Sequence, residues 1–571
     1  MRSIVLSFVA AVAAPLAAAQ VANFDVASGL LTLPSVGVGS DTYTQVSLQH
    51  EGNYVFRLLG ATRQQPTAPG VATYDLASAM LRIPAVRVGA DTYLDVTLRD
   101  GGGFSFALAG ATPLSAALAE QIRAFLASYD AIWATAVPAT GAKTTAFNDG
   151  CYLHDGRTNA YLVAEVDGDP AAHAASEAFQ IGVQRTNVQV LAVRELRNAD
   201  GSDRREVDLQ YDIVYRDGSR RTGNQQTLIS GSSAGSARCS SPTVSSALRF
   251  YGNQHLLGAV LRPRNQRDER YAVSTGTALS PAVQYRRDFR FTVTDPLGVA
   301  TYVVITGPGP GGEGGAASDA FAVKLLSPRI MRSAPEMGGR TGNFTNWGDD
   351  DVFRICGVSG GGMPLAHLAN CTGVGAPGDN VGWTTSTQDA TADAGFAAQG
   401  WRAGASYRVD VYADDGWKTV NGQAGRTPIA TYYTTLARLP YSFVEMAAAD
   451  RYPRLSAGAL TSQGVRANAV SATPSPLQLS WSAPAAPADA RAFRVSQGWS
   501  YIQGSRTGNA TGAVWPQLRF VDFIYPATTA RSGAFRVRAR PADMANHTYF
   551  EYMLYMSDRN DSVIQSRLSF Q

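Results

Sequence analysis

Lysine is almost missing from this chain. Of 49 basic residues only Lys143, Lys324 and Lys418 are lysines, and the rest are arginine. Beside abundant alanine, that bias reads as GC-rich bacterial coding and not as a phosphate-binding strategy. Charge is also scarce, with 17% Asp, Glu, Lys and Arg and a net charge of +3. So weak a positive balance excludes the electrostatic footprint of a nucleic-acid binder, and so few charges exclude a long solvated coiled coil. Six histidines are scattered, and no C-x-x-C or H-x₃₋₅-H spacing occurs, which argues against a zinc site. Beyond the N-terminal stretch no run approaches the roughly 20 apolar residues of a membrane helix, so no transmembrane segment is expected. What the chain does have is 571 residues, 45% of them hydrophobic, with 56 Gly and 28 Pro. That is material for packed cores joined by many turns, and about four domains at the usual size.

Residues 1–19, MRSIVLSFVAAVAAPLAAA, place one arginine before an apolar run that ends in small residues. Ala17 and Ala19 fit an A-x-A cleavage site, so export is expected, with residence in the periplasm, at the cell surface or in the medium. Four cysteines follow: Cys151, Cys239, Cys356 and Cys371. An even count in an oxidising compartment points to disulfides, with three pairings open. Proximity favours Cys356–Cys371, which leaves Cys151–Cys239 across a separate region.

The most distinct feature is an internal repeat with a period of 50 residues: Ala22–Leu48 returns, without a gap, as Ala72–Leu98. Leu31 and Leu33, Val36 and Val38, then Val46 and Leu48 alternate with small or polar residues, a period of two that predicts short strands. Pro34 and Pro84 mark a bend or an edge. One copy is too short to bury a core, so two tandem β repeats are expected to pack together over 20–113. Asp25, Asp75, Asp41 and Asp91 recur with the repeat and read as turn caps in preference to calcium ligands. The motif resembles a short β repeat near the start of exported proteobacterial proteins, which implies envelope or surface residence and no particular reaction.

From Pro113 the periodicity changes. Leu118, Ile122, Phe125, Tyr129 and Trp133 predict an amphipathic helix, and three strands follow near 188–196, 207–215 and 222–230. Helix and antiparallel meander over 114–245 resemble the α+β cone of nuclear-transport-factor-like or cystatin-like folds, which often hold a pocket. Residues 246–445 and 446–571 read as two β-sandwich-like domains. Gly307–Ser318 is expected to be a loop or linker. Tyr407, two residues before Val409, resembles the tyrosine corner of immunoglobulin-like or fibronectin type III modules. Ser475–Pro487 and His547–Phe570 resemble strands of a fibronectin type III sandwich. The expected fold class is therefore mainly β and multidomain, with one α+β unit.

Three patterns bear on chemistry. Gly357–Gly361 matches G-x-S-x-G and nominates Ser359 as a nucleophile, with His367 or His547 as base. Against it, the motif lies inside the Cys356–Cys371 loop, in antiparallel-β surroundings without βαβ units. Asp349, Asp350, Asp351, Asp414 and Asp415 cluster in turns; calcium is the one cofactor they suggest, although neither cluster reproduces a twelve-residue calcium loop, and solvated turn carboxylates are the default reading. Trp499, Tyr501 and Trp515 suggest a binding face, weighed against a plain core strand. The leading expectation is an exported non-enzymatic envelope or extracellular protein that binds a protein or glycan, or serves as a spacer. The alternatives are a secreted serine hydrolase using Ser359 and a periplasmic pocket-type binder built on 114–245.

Overall fold

The computed structural model describes residues 21–39, 41–64, 72–89, 91–147, 150–158, 180–216, 220–234, 242–311, 317–334, 353–356, 371, 380–383, 388–436, 438–448, 452–456, 461–483, 494–507, 514–524, 532–542, 544–557 and 562–571. It is mainly β and multidomain, and no helix among the described residues is long and apolar enough to cross a membrane.

The repeat folds as one closed, barrel-like sheet. The first copy supplies β1 (Ala22–Asp25), β2 (Leu30–Val38), β3 (Asp41–Gly52) and β4 (Val55–Gln64). The second supplies β5 (Ala72–Asp75), β6 (Met80–Val88), β7 (Asp91–Gly102) and β8 (Ser105–Pro113). The copies meet through β4 and β8, where Phe56 pairs with Phe106, its own repeat equivalent, so a pseudo-twofold axis passes between them. On the far wall β1 pairs in parallel with β6, and β5 with β2. Along β2, residues 30–32 bond β1 and residues 36–38 bond β5. Pro34 falls between these two ladders, where its absent N–H leaves no bond unmade. Alternation places Leu31, Leu33, Val46 and Leu48, with Leu81, Ile83, Val96 and Leu98, in the interior. Asp25 and Asp75 cap turns: each accepts a backbone N–H two residues on and the hydroxyl of Ser28 or Ser78.

Helix α1 (Ala116–Ile132) buries Leu118, Ile122, Leu126 and Tyr129 and is followed by the short α2 (Thr140–Thr144). It packs on a four-stranded antiparallel sheet of β9 (Gln184–Arg197), β10 (Asp203–Val214), β11 (Arg220–Ser232) and β12 (Val244–Phe250). Val207, Leu209 and Tyr211 face the helix, and Trp133, Phe147, Tyr152 and Phe250 fill the space between. Ala85 and Leu94 of the barrel join this core, so the two units are packed together.

The remaining chain forms β13 (Gly258–Tyr271), β14 (Ala278–Thr294), β15 (Tyr302–Pro310), β16 (Ala317–Leu326), α3 (Pro328–Ser333), β17 (Arg354–Ile355), β18 (Asn380–Trp383), α4 (Ala390–Ala397), β19 (Ser406–Tyr412) and β20 (Ala430–Thr435). After these come α5 (Phe443–Ala448), β21 (Arg454–Ser456), α6 (Ser462–Val470), β22 (Leu477–Ser482), β23 (Arg494–Thr507), β24 (Val514–Ile524), β25 (Ser532–Val537), β26 (Met544–Ser557) and β27 (Val563–Phe570). A seven-stranded sheet of order β18-β14-β13-β27-β26-β23-β24 runs through both halves. Its joint is a parallel ladder from Arg264–Val563 to Tyr271–Phe570. One end packs Leu261, Phe289 and Phe291 on Val303, Ile305 and Val323 of the five-stranded sheet β17-β16-β15-β19-β20. The other end packs Ile502, Phe550, Tyr552 and Phe570 on Leu477, Leu479 and Val537 of the three-stranded sheet β21-β22-β25. Two sandwich-like layers thus share one sheet, which crosses the boundary expected at 445/446.

Two local expectations come out differently. Gly307–Pro310 belongs to β15 and not to a linker. A Cβ on Gly307 would stand 2.2 Å from the Tyr407 ring, and one on Gly309 would stand 2.8 Å from Phe321. The glycines are spaces for aromatic rings. Tyr407 is fully buried, and its hydroxyl donates to the carbonyl of Pro308 at 2.6 Å. That acceptor lies on the neighbouring strand β15, whereas a tyrosine corner bonds backbone a few residues upstream.

Candidate binding face of the seven-stranded sheet

One side of the seven-stranded sheet is committed to the hydrophobic contacts above. The other is polar, because β13 reads RPRNQRDERY (262–271) and alternation sends Arg264, Gln266 and Asp268 to that side together. Register brings Asp288 of β14 opposite Arg264, and Arg567 of β27 opposite Asp268. Glu551 of β26 then stands opposite Ser569 of β27, and Tyr501 of β23 opposite Glu551.

Hydrogen bonds join the groups on β26, β27 and β13, and a ring contact adds Tyr501 of β23. Tyr501 packs edge-on against Tyr549, with ring centroids 6.0 Å apart. The Tyr549 hydroxyl donates to Glu551 Oε2, which also pairs with Arg567 Nη1 at 3.1 Å. Arg567 Nη2 bonds Asp268 Oδ2, and Asp268 Oδ1 accepts from Ser569 Oγ at 2.6 Å. With its amide turned so that the oxygen faces the guanidinium, Gln266 accepts from Arg567 Nη2 and Nε. Farther along, Arg264 and Arg286 both pair with buried Asp288, at 2.5 and 3.3 Å. Burial raises the pKa of Glu551 above that of an ordinary carboxyl, with Arg567 opposing the shift. Burial, then the Glu551 charge, pushes the Tyr549 phenol well up. Arg567 is held firmly protonated by Tyr549, Glu551 and Asp268, which together outweigh its own desolvation.

Of the residues singled out in the sequence, Tyr501 lies in this network. Trp499 is placed by its backbone, paired with Phe523 and Met553, and Trp515 lies on β24; their side chains lie outside the described residues. Ser359, with the rest of Gly357–Gly361, His367, Asp349, Asp350 and Asp351 also lie outside them. His547, on β26, is half-buried, and burial followed by the nearby Arg540 charge pushes its pKa down to about 4.

Asp414 and Asp415 are engaged as turn carboxylates. Asp414 Oδ1 accepts from the Tyr302 hydroxyl at 3.0 Å and from the Gly416 N–H at 2.8 Å. Arg426 bridges both carboxylates at 3.0 Å. Among the described residues no group of three or more His, Cys, Asp or Glu is placed to hold a metal ion. Beside this turn the Cys356–Cys371 disulfide closes with an S–S distance of 1.99 Å, buried against Tyr302, Met331 and Trp417. Cys151 is buried with its Sγ 3.1 Å from Ser233 Oγ, and Cys239 lies outside the described residues.

The sequence reading passed over Asp268, Glu551, Arg567 and Lys324. Glu551 left a usable signal, as the only acid in the aromatic-rich strand Met544–Ser557. Lys324 left none, because its burial arises from the turn at Gly416–Lys418, almost a hundred residues away. Its ammonium donates to the carbonyls of Gly416 and Thr419 at 3.0 and 2.7 Å, and burial pushes its pKa down to about 8.

No protein-family model matches this chain, and no curated protein is significantly similar to it.

Proposed function

We propose that the chain is an exported, non-enzymatic protein of the cell envelope or its exterior that binds its target through the polar side of the seven-stranded sheet, around Tyr501. The observation that carries this reading is the chain of contacts Tyr501–Tyr549–Glu551–Arg567–Asp268–Ser569. It holds a half-buried aromatic ring and several hydrogen-bonding groups in fixed positions on strands and not on loops. Export is supported by the N-terminal pattern over 1–19 and agrees with a buried disulfide, which persists in oxidising compartments. A pocket within 114–245 has less in its favour, because large side chains fill the space between α1 and its sheet.

The test has two parts. The full-length chain is expressed in a Gram-negative host, which is then fractionated, and the chain beginning at Gln20 is sedimented with isolated envelopes. Recovery outside the cytoplasm, with co-sedimentation that Tyr501→Ala reduces about tenfold, is the expected outcome. Cytoplasmic retention, no co-sedimentation, or equal binding by Tyr501→Ala would overturn the reading.

A further inference from the structure

We infer that the hairpin tips carrying Tyr54 and Phe104 dock the repeat barrel on a lipid surface with zwitterionic headgroups. This surface is separate from the polar face around Tyr501, and the inference does not depend on that reading.

The first argument is local conformation. Gly52 pairs with Val55 and Gly102 with Ser105, so each copy closes its long hairpin with a two-residue turn, Asn53-Tyr54 in one and Gly103-Phe104 in the other. All four turn residues have positive φ: 50° and 59° in the first copy, 62° and 62° in the second. Turns of this kind favour glycine or asparagine, because a Cβ is crowded there and a bulky side chain fares worst. Yet the second place is aromatic in both copies, although the neighbours have diverged, Asn53 against Gly103 and Val55 against Ser105. The rings do not serve the core either, since Tyr54 is 68% and Phe104 69% exposed. Backbone strain held at two exposed aromatics directs attention to a contact outside the chain.

The second argument is placement. The N–H of Leu108 donates to the Tyr54 carbonyl at 3.0 Å, and that of Leu58 to the Phe104 carbonyl at 2.9 Å. The tips therefore flank the β4–β8 joint on one wall, roughly 13 Å apart at about 3.3 Å per residue. Leu59, Ala107, Leu108 and Ala109 are exposed on the same strands. Two rings and two leucines, each only partly free, supply less than the roughly 800 Å² per partner that a stable protein interface buries. A bilayer requires no matching shape, and aromatic rings settle readily at the boundary between headgroups and chains.

The third argument is charge. Within five positions of either ring the charged residues are Glu51, Arg57, Arg99 and Asp100, apart from His50, which packs on Phe24 and Phe56. Glu51 pairs with Arg57 at 2.5 Å. Two acids stand against two arginines, so no excess of positive charge draws an anionic surface. Zwitterionic lipid is the class that fits.

The test floats the chain from Gln20 onward with phosphatidylcholine vesicles at low and at high salt. The expected result is a vesicle-bound fraction that salt leaves unchanged. Tyr54→Gly or Phe104→Gly should reduce it about fivefold, and the double variant should lose it. Because glycine suits both positions, the double variant should unfold in denaturant no earlier than the parent. A stable fold that no longer docks is a pairing that purely structural aromatics would not give. Absence of flotation by the parent, flotation unchanged in the double variant, or flotation only with anionic lipid would overturn the inference. So would a double variant that is less stable than the parent, because the rings would then serve the fold. A dimer in sedimentation equilibrium that the double variant loses, with no flotation by the parent, would make the occupant a second copy, and the inference would fail. Tyr54→Asn combined with Phe104→Asn keeps a side chain at each turn, and it should lose flotation as the glycine pair does.

Discussion

Lys324 and Arg567 are both buried cations, and the fold accommodates them in opposite ways. Arg567 faces Asp268 and Glu551, so its charge is compensated within hydrogen-bond distance. Removing it would leave two carboxylates buried without their cation, and Arg567→Leu is expected to cost about 3–5 kcal/mol. Denaturant unfolding checks this, and a loss under 1 kcal/mol would contradict it. Lys324 is 1% exposed and donates to two backbone carbonyls, with no carboxylate among its partners in the described residues. Its pKa falls from 10.5 to about 8, so between those values the unfolded chain binds more protons than the folded one. Stability gained from this group therefore rises as pH increases from about 8 toward 10 and is absent below about 8. The denaturation midpoint should climb over that interval, and Lys324→Met should flatten the climb. An equal slope in both proteins would show that other groups cause it. Histidine at 547 has the same sign at lower pH: its pKa of about 4 means that stability is lost as pH falls below about 6.5.

At the level of elements, legibility followed the segregation of apolar from polar residues along each element. Strand β10 alternates Val207, Leu209 and Tyr211 with Glu206, Asp208 and Gln210, and it was visible in the sequence because one face carries apolar residues into a core and the other carries only polar ones. The amphipathic helix was visible for the same reason. Strand β13 was not, since Asn265–Tyr271 is polar on both faces and carries no hydrophobic period. Its residues are buried by β14 on one side and by β27, almost 300 residues later, on the other. The β15 glycines were misread for a related reason: glycine signals a turn in isolation, but here Gly307 makes room for Tyr407. Gly307→Ala should destabilise the chain by about 1–3 kcal/mol through overpacking. Chemical denaturation would expose the error if the variant matched the parent.

Across the whole molecule, the parallel β13–β27 ladder makes residues 258–571 a shared structure and not a string of beads. Calorimetry should show one cooperative transition for this region. Two resolved transitions, each abolished by its own core substitution (Phe291→Ala in one half, Phe550→Ala in the other), would mean that the halves unfold independently. Peptide mapping without reductant should recover Cys356 linked to Cys371, and it would also test the expected Cys151–Cys239 pairing.

The sequence by itself determined the duplication, the β-rich class and the helix on its meander, because each is written in local periodicity, and its short spacing favoured the Cys356–Cys371 pairing that the structure forms. Only tertiary structure decided that the repeats close one barrel, that two sandwiches share a sheet, and that Tyr501 adjoins Glu551 and Arg567. Those facts depend on partners far apart in the chain, and a strand's own residues do not specify which distant strand will lie beside it.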